Sequence, residues 1–168
     1  MKIKEFQKEM AGKKIDLVLF FNLDGDNIDP NMTYFSQYTG FGALAITPKN
    51  SFLVVPKAEY QRAKGSSRVK VVVAKEKILD TLKKQLRKRP KVIGIDKNRV
   101  SVGLYTKMKK ETHARFVDIS RACLVLRASK TPEEISILRK ACAITDEIMQ
   151  KTLWRFKDFK TESEVSAF

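Results

Sequence analysis

The sequence predicts an α/β domain of three layers, a mixed central β-sheet flanked by helices, followed by an amphipathic helix that belongs partly to something else. Short apolar runs alternate with amphipathic, lysine-rich stretches, the pattern of strands and helices that cover both faces of a sheet. One pair of runs, 43–47 and 52–55, is joined only by Pro48-Lys49-Asn50-Ser51. A turn of that kind makes its flanking strands antiparallel, and so the sheet mixed. Finally, Thr131, Pro132 and Glu134 supply an N-cap, its preferred proline and a capping-box glutamate ahead of a long periodic segment.

Each element has its own signal. Ile3, Phe6 and Met10 share one side of a short opening helix. Ile15 to Phe21 is short and almost wholly apolar, as a strand covered on both faces must be. Asn22 to Pro30 is a polar loop. Its Asp24, Gly25, Asp26 and Asp29 faintly resemble a calcium loop, but no glutamate stands at the twelfth position and no helix pair frames it. Residues 31–41 are aromatic and rich in hydroxyls, with a turn of helix ending near Gly40. After the hairpin, Pro56 ends the second strand. A helix over 57–64, a strand over 69–73, a helix over 75–88 with Ile78, Leu82 and Leu86 inward, and a strand over 92–95 follow. Ser101 caps a helix to Lys110, 115–118 is a last strand, and 119–126 a brief helix.

The segment from Pro132 to Trp154 carries an apolar arc about half its circumference wide, with Ile137, Ala141, Ile144 and Ile148 along one side of it. An arc that broad calls for a large apolar partner. Thr161 and Glu164 form a second capping box, yet few residues follow it. An isolated helix needs roughly 12–15 residues to be even marginal. The expectation is a fragment of a longer protein.

Composition narrows the function. The 168 residues suffice for one domain with a proper core. No apolar run approaches the roughly 20 residues of a membrane span, and the amino terminus reads as an amphipathic helix rather than a signal peptide, so the expected compartment is the cytoplasm. Cys123 and Cys142 lack metal-ligand spacing and are read as reduced core residues. Residues 61–130 hold 21 basic and five acidic side chains, against a net charge of +15 for the whole chain. Without aromatic interleaving or a nucleic-acid motif, that stretch is read as a solvated face. His113 is the only histidine and sits in a polar turn. No nucleophile elbow, phosphate loop or zinc spacing appears, and the acidic pairs lie in helix first turns, where the dipole accounts for them. No catalytic or metal-ligating residue is assigned.

Four stretches carry a family resemblance: NMTYFSQYTGF at 31–41, FLVVPKAEYQRA at 52–63, VIGIDKNRVSVGLYTKMKK at 92–110 and LVLRASKTPEEISILRKACAITDEIM at 124–149. They resemble the N-terminal domain of the creatinase/prolidase family, the Xaa-Pro dipeptidases and aminopeptidases P. Arg127, Lys130, Thr131, Glu134, Ile135, Leu138, Arg139 and Ala141 fit the family's pattern at the passage into its catalytic domain. Two departures stand out. Gln37 replaces a common glycine, and Pro56-Lys57-Ala58-Glu59-Tyr60 replaces a frequent Asp-x-Arg-Tyr.

The resemblance implies a noncatalytic α/β domain over 1–126, a linker at 127–131, and over 132–168 the first helix and start of a pita-bread catalytic domain lying beyond Phe168. No cofactor is implied for these residues. Two divalent metal ions, held by two aspartates, a histidine and two glutamates, are implied for the domain that follows. The implied parent is a homodimeric, metal-dependent Xaa-Pro peptidase acting on proline-containing dipeptides or peptides. Tyr34, Tyr38, Thr39, Gly40 and Phe41 are the implied contacts with the partner subunit's active site, and Ile137, Ala141, Ile144 and Ile148 the implied dimer or domain interface. The alternative is a family member without catalysis that serves as a binding module, for nucleic acid through 61–130.

Overall fold

The computed structural model describes residues 2–23, 28–86 and 88–168. They form two compact units, Met1–Arg127 and Ala128–Phe168. In the first unit the elements run α1 (Ile3–Gly12), β1 (Leu17–Asn22), α2 (Pro30–Ser36), β2 (Gly42–Ile46), β3 (Ser51–Pro56), α3 (Tyr60–Ser66), β4 (Lys70–Ala74), α4 (Ile78–Gln85), β5 (Val92–Ile95), α5 (Val102–Thr112), β6 (Arg115–Asp118) and α6 (Ser120–Ala128).

The six strands lie in the order β4-β3-β2-β1-β5-β6. β1 pairs antiparallel with β2 and parallel with β5, and β3 continues the antiparallel meander before β4 and β6 close the edges in parallel pairs. The mixed sheet is therefore the one the hairpin demanded. β1 is buried at every position, and because side chains alternate along a strand, its two sets serve two cores. Val18 and Phe20 pack with Phe6, Met10, Phe35, Ala63 and Cys123, which places α1, α2, α3 and α6 on one face. Leu17, Leu19 and Phe21 pack with Leu82 and Met108, which places α4 and α5 on the other.

The first core is organised on Phe35, whose ring lies 4.8 Å from Phe6 and 5.6 Å from Phe20, with Tyr34 edge-on at 5.4 Å. At Gly94 a Cβ would stand 2.9 Å from Val18 Cγ2 and 3.0 Å from Ile119 Cγ2, so the missing side chain lets α6 approach β5. The unit also closes on itself, since Lys2 Nζ donates to the Leu126 carbonyl at 3.1 Å.

Three expectations need correction. α4 is shorter than 75–88, because Lys77 is its N-cap and Leu86 is already extended at ψ 123°. The bend after α2 is made not by Gly40 but by Gln37, at φ 61° and ψ 25°. Cys142 is exposed, so only Cys123 is a core cysteine. Of the calcium-like loop, Asp24, Gly25 and Asp26 lie outside the described residues, while Asp29 caps α2 through Oδ1, which accepts from the Asn31 amide at 2.7 Å.

A left-handed φ is costly for any residue bearing a Cβ and nearly free for glycine. Gln37 therefore bears a backbone cost that glycine at the same position would not. Gln37→Gly should raise stability by about 0.5–1 kcal/mol, read as a higher urea midpoint at unchanged slope.

The second unit comprises α7 (Pro132–Trp154), a single tight turn over Phe156–Asp158 and α8 (Glu162–Ala167). Both capping boxes form as the sequence predicts. At α7 the Thr131 amide donates to Glu134 Oε2 at 2.8 Å and the Glu134 amide to Thr131 Oγ1 at 3.2 Å; Thr161 and Glu164 repeat the arrangement. No residue of either helix is buried.

Candidate functional site

The polar interior of the first unit gathers at the carboxyl ends of β1, β5 and β6, the edge at which open α/β sheets place functional groups. Asn22, the last residue of β1, accepts from the Asp29 amide at 2.6 Å and donates through Nδ2 to the Gly40 carbonyl at 3.3 Å. It thereby ties the start of α2 to the loop that ends it. Asp96, one residue past β5, accepts from Asn31 Nδ2 at 2.8 Å, from the Ser120 hydroxyl at 2.8 Å and from the Asn98 amide at 3.0 Å. Asn22, Asp29, Asn31 and Asp96 are all at most 7% exposed. Burial holds the Asp29 carboxyl above its ordinary range, against the pull of the Asn31 and Met32 amides. At Asp118, which is exposed, partial desolvation pulls the same way but is outweighed by the Ser120 hydroxyl and amide and the Lys97 amide, which leave it below its ordinary range. A cleft of about 380 Å³ opens beside this cluster, with Arg99, Arg121 and Arg127 in its wall. Sequence reasoning missed the cluster. Asp29 ahead of Pro30 had the form of an N-cap with proline at the first helical position, which was the one available signal.

The loop residues singled out in the sequence separate by exposure. Tyr38 and Gly40 are buried, Tyr34 is half-buried, and Thr39 and Phe41 face solvent. The Tyr38 hydroxyl donates to Glu59. Burial, and then the Glu59 carboxylate on its hydroxyl, hold the Tyr38 phenol protonated far above the usual tyrosine range. A Cβ on Gly40 would collide with that same tyrosine. Glu59 belongs to the Lys57-Ala58-Glu59-Tyr60 segment that departs from the family pattern, and its role here is to anchor the loop from below.

Along α7, Ile137, Ile144 and Ile148 are 67%, 59% and 54% exposed, and Ala141 is exposed among them. Cys142 lies in the same helix. Periodicity defines this face in the sequence and says nothing of a cover, and no residue on any side of α7 is buried. Cys123 behaves oppositely: burial first, and then the charges of Asp96 and Asp29, push its thiol up to about 12 from an ordinary 9.0. A thiol is nucleophilic only as thiolate. Alkylation of the native chain should thus modify Cys142 first, with Cys123 slower by roughly 100-fold or more because it waits on opening of the core. A raised folded pKa contributes stability that is complete below the ordinary value and is lost as pH climbs from about 9 toward 12. The labelling gap should accordingly narrow over that window. Mass spectrometry of quenched samples reads both rates, and equal rates at neutral pH would contradict the assignment.

The basic side chains of 61–130 lie on both helical layers, Arg62 and Lys64 on α3 with Arg121 and Arg127 on α6, and Lys83 and Lys84 on α4 with Lys107, Lys109 and Lys110 on α5. Among the described residues of that stretch no aromatic side chain is exposed, so it offers no stacking platform for bases. His113 is exposed at φ 52°, ending α5. Among the described residues no group of three or more histidine, cysteine, aspartate or glutamate side chains is placed to hold a metal ion, so the donor set of a two-metal centre is not present in them. Among them also, no helix is long and apolar enough to cross a membrane.

A mixed six-stranded sheet between two helical layers, with a buried polar cluster at the carboxyl ends of its strands, defines a three-layer α/β domain. The chain belongs to the creatinase/prolidase N-terminal domain family, whose model matches residues 2–129. It is 30% identical over 169 aligned residues to an Xaa-Pro dipeptidase of Pyrococcus horikoshii, an alignment covering 99% of this chain and 45% of that protein. Its fold matches the X-Pro aminopeptidase of Thermotoga maritima with a TM-score of 0.82 at 25% identity, over 96% of this chain and 46% of that one. It also matches the creatinase/prolidase N-terminal domain of an X-Pro dipeptidase from Streptococcus pyogenes, with a TM-score of 0.60 at 16% identity, over 72% of this chain and 95% of that one. The chain spans about half the length of the curated relatives it matches.

Proposed function

We propose that this chain is the noncatalytic amino-terminal part of an Xaa-Pro dipeptidase, in which it contributes to dimerisation and restricts access to a catalytic domain encoded after residue 168. The observation that carries this reading is the coverage, nearly all of this chain against less than half of a dipeptidase. The uncovered apolar face of α7 supports it, since a helix following the matched domain and exposing Ile137, Ile144 and Ile148 has the form of an interface element. In this reading α7 opens the catalytic part, which holds two divalent metal ions. The exposed Thr39 and Phe41, steadied by buried Tyr38 and Gly40 and flanked by Tyr34, face a partner subunit's active site.

The coding sequence downstream of residue 168 tests this directly. It should supply, in order, two aspartates, a histidine and two glutamates, and the 168-residue chain by itself should hydrolyse no Xaa-Pro dipeptide with any of a panel of divalent ions. Turnover by the chain alone would overturn the reading, as would a downstream sequence without those ligands. For the interface, Ile137→Glu with Ile148→Glu should abolish concentration-dependent sedimentation, because a charge on each copy would have to be buried on association. Both positions are exposed in the single chain, so the melting temperature of the dilute monomer should not move. A wild-type chain that sediments as a monomer throughout, or an unchanged double variant, would remove α7 from the dimer contact.

A further inference from the structure

A second cavity, of about 550 Å³, lies on the opposite face of the sheet from α6, between α4 and α5 and over the starting ends of β1 and β5. Its origin is the early end of α4. The helix stops at Gln85, Leu86 turns extended, and Pro90 directs the chain into β5, so the first residues of two strands are left without a helix above them. The floor is apolar, built from Leu17, Leu82, Ile93 and Met108, and half-buried Leu79 and Leu86 stand at the opening. The volume lies within the roughly 300–1,000 Å³ usual for small-molecule sites, which are likewise mostly apolar with a few placed polar groups.

The mouth is strongly cationic. Lys83 is neutralised by Glu111 at 2.5 Å and Lys84 by Glu76 at 3.3 Å. Lys88 and Arg89 also line the cavity, are exposed, and form no ion pair among the described residues. Arg89 precedes Pro90, which restricts its backbone to extended conformations. An apolar pocket closed by two unneutralised cations is complementary to one class of ligand, an apolar body carrying an anionic head. This also gives the charge concentration of 61–130 a local consequence that nucleic acid does not require.

We propose that the cavity binds a single-chain anionic amphiphile, a medium-chain carboxylate whose tail lies against Leu17, Leu82, Ile93 and Met108 and whose head meets Lys88 and Arg89. None of its lining residues belongs to α7 or to the Asp96 cluster, so it does not depend on the peptidase reading.

Decanoate is the probe, titrated into the 168-residue chain below its micellar concentration and followed by calorimetry and by the methyl NMR signals of Leu17, Ile93 and Met108. Saturable binding is expected, with those methyls shifting, and affinity should rise by up to about fourfold per methylene from hexanoate to decanoate. Acetate, the head alone, should not saturate. Decyltrimethylammonium, the same tail with the opposite charge, should bind at least about tenfold more weakly. Lys88→Glu with Arg89→Glu should reverse that preference, and both positions are exposed enough to leave folding intact. Leu86→Trp should fill the opening and abolish binding. The proposal fails if decanoate does not saturate, if the cationic and anionic amphiphiles bind alike, or if the charge-reversed variant retains wild-type affinity. Alkyl phosphate binding more tightly than decanoate at equal chain length would also overturn the choice of a carboxylate head.

Discussion

Phe35→Ala should lower the unfolding free energy of the α/β unit by about 3–5 kcal/mol, the usual range for truncating a fully buried aromatic. Phe35 is wholly buried and stacks on both Phe6 and Phe20, so a single deletion strips contacts from α1, β1 and α2 together. The cavity left behind cannot collapse easily. Its walls are a sheet strand held on both sides and two helices fixed by their own core residues. For a domain whose total stability is of the order of 5–15 kcal/mol, this is the difference between a folded chain and one partly unfolded at growth temperature. Urea unfolding followed by far-ultraviolet circular dichroism measures it, and a loss below about 1 kcal/mol would mean that Phe35 is not the organising residue of its core.

Asp96→Ala should cost about 2–4 kcal/mol, for a different reason. Asp96 accepts from the Asn31 side chain, the Ser120 hydroxyl and the Asn98 amide. Removing the carboxylate leaves the Asn31 amide, 2% exposed, without that acceptor. A buried donor deprived of its partner costs its desolvation, about 1–3 kcal/mol, beyond the lost bonds themselves. Ser120→Ala is the informative comparison, because Ser120 is only half-buried and Asp96 keeps its other donors. If both variants lose the same amount, the Asn31 contact contributes nothing and Asp96 does not join α2 to β5.

What the sequence disclosed and withheld follows from how local each interaction is. Caps are local chemistry, so Thr131 with Glu134, Thr161 with Glu164 and the N-cap at Ser101 are all legible in the sequence. The apolar runs identified all six strands, and Pro48 to Ser51 revealed the antiparallel pair. Asp96 and Asn31 stand 65 residues apart, and nothing in either neighbourhood points to the other. Gln37 hid the bend after α2 because the residue that betrays a left-handed position, glycine, is absent there. Cys142 was misplaced because an apolar arc specifies a face and not what covers it. The loop of candidate contacts was legible as a set, but its division into buried Tyr38 and Gly40 and outward Thr39 and Phe41 depends on Glu59, which arrives from beyond a hairpin.

The bond from Lys2 to the Leu126 carbonyl brings the entry and exit of the α/β unit to one place. A unit whose ends meet can be spliced before, after or within another sequence without stretching either host or guest. Such a unit is portable. The same geometry allows it to be circularly permuted, with new ends in the exposed Pro48–Asn50 turn and the old ones joined by a short linker, and still to close the same sheet. The fold of this chain is in that respect a module that could be joined to quite different chemistries without change to its own core.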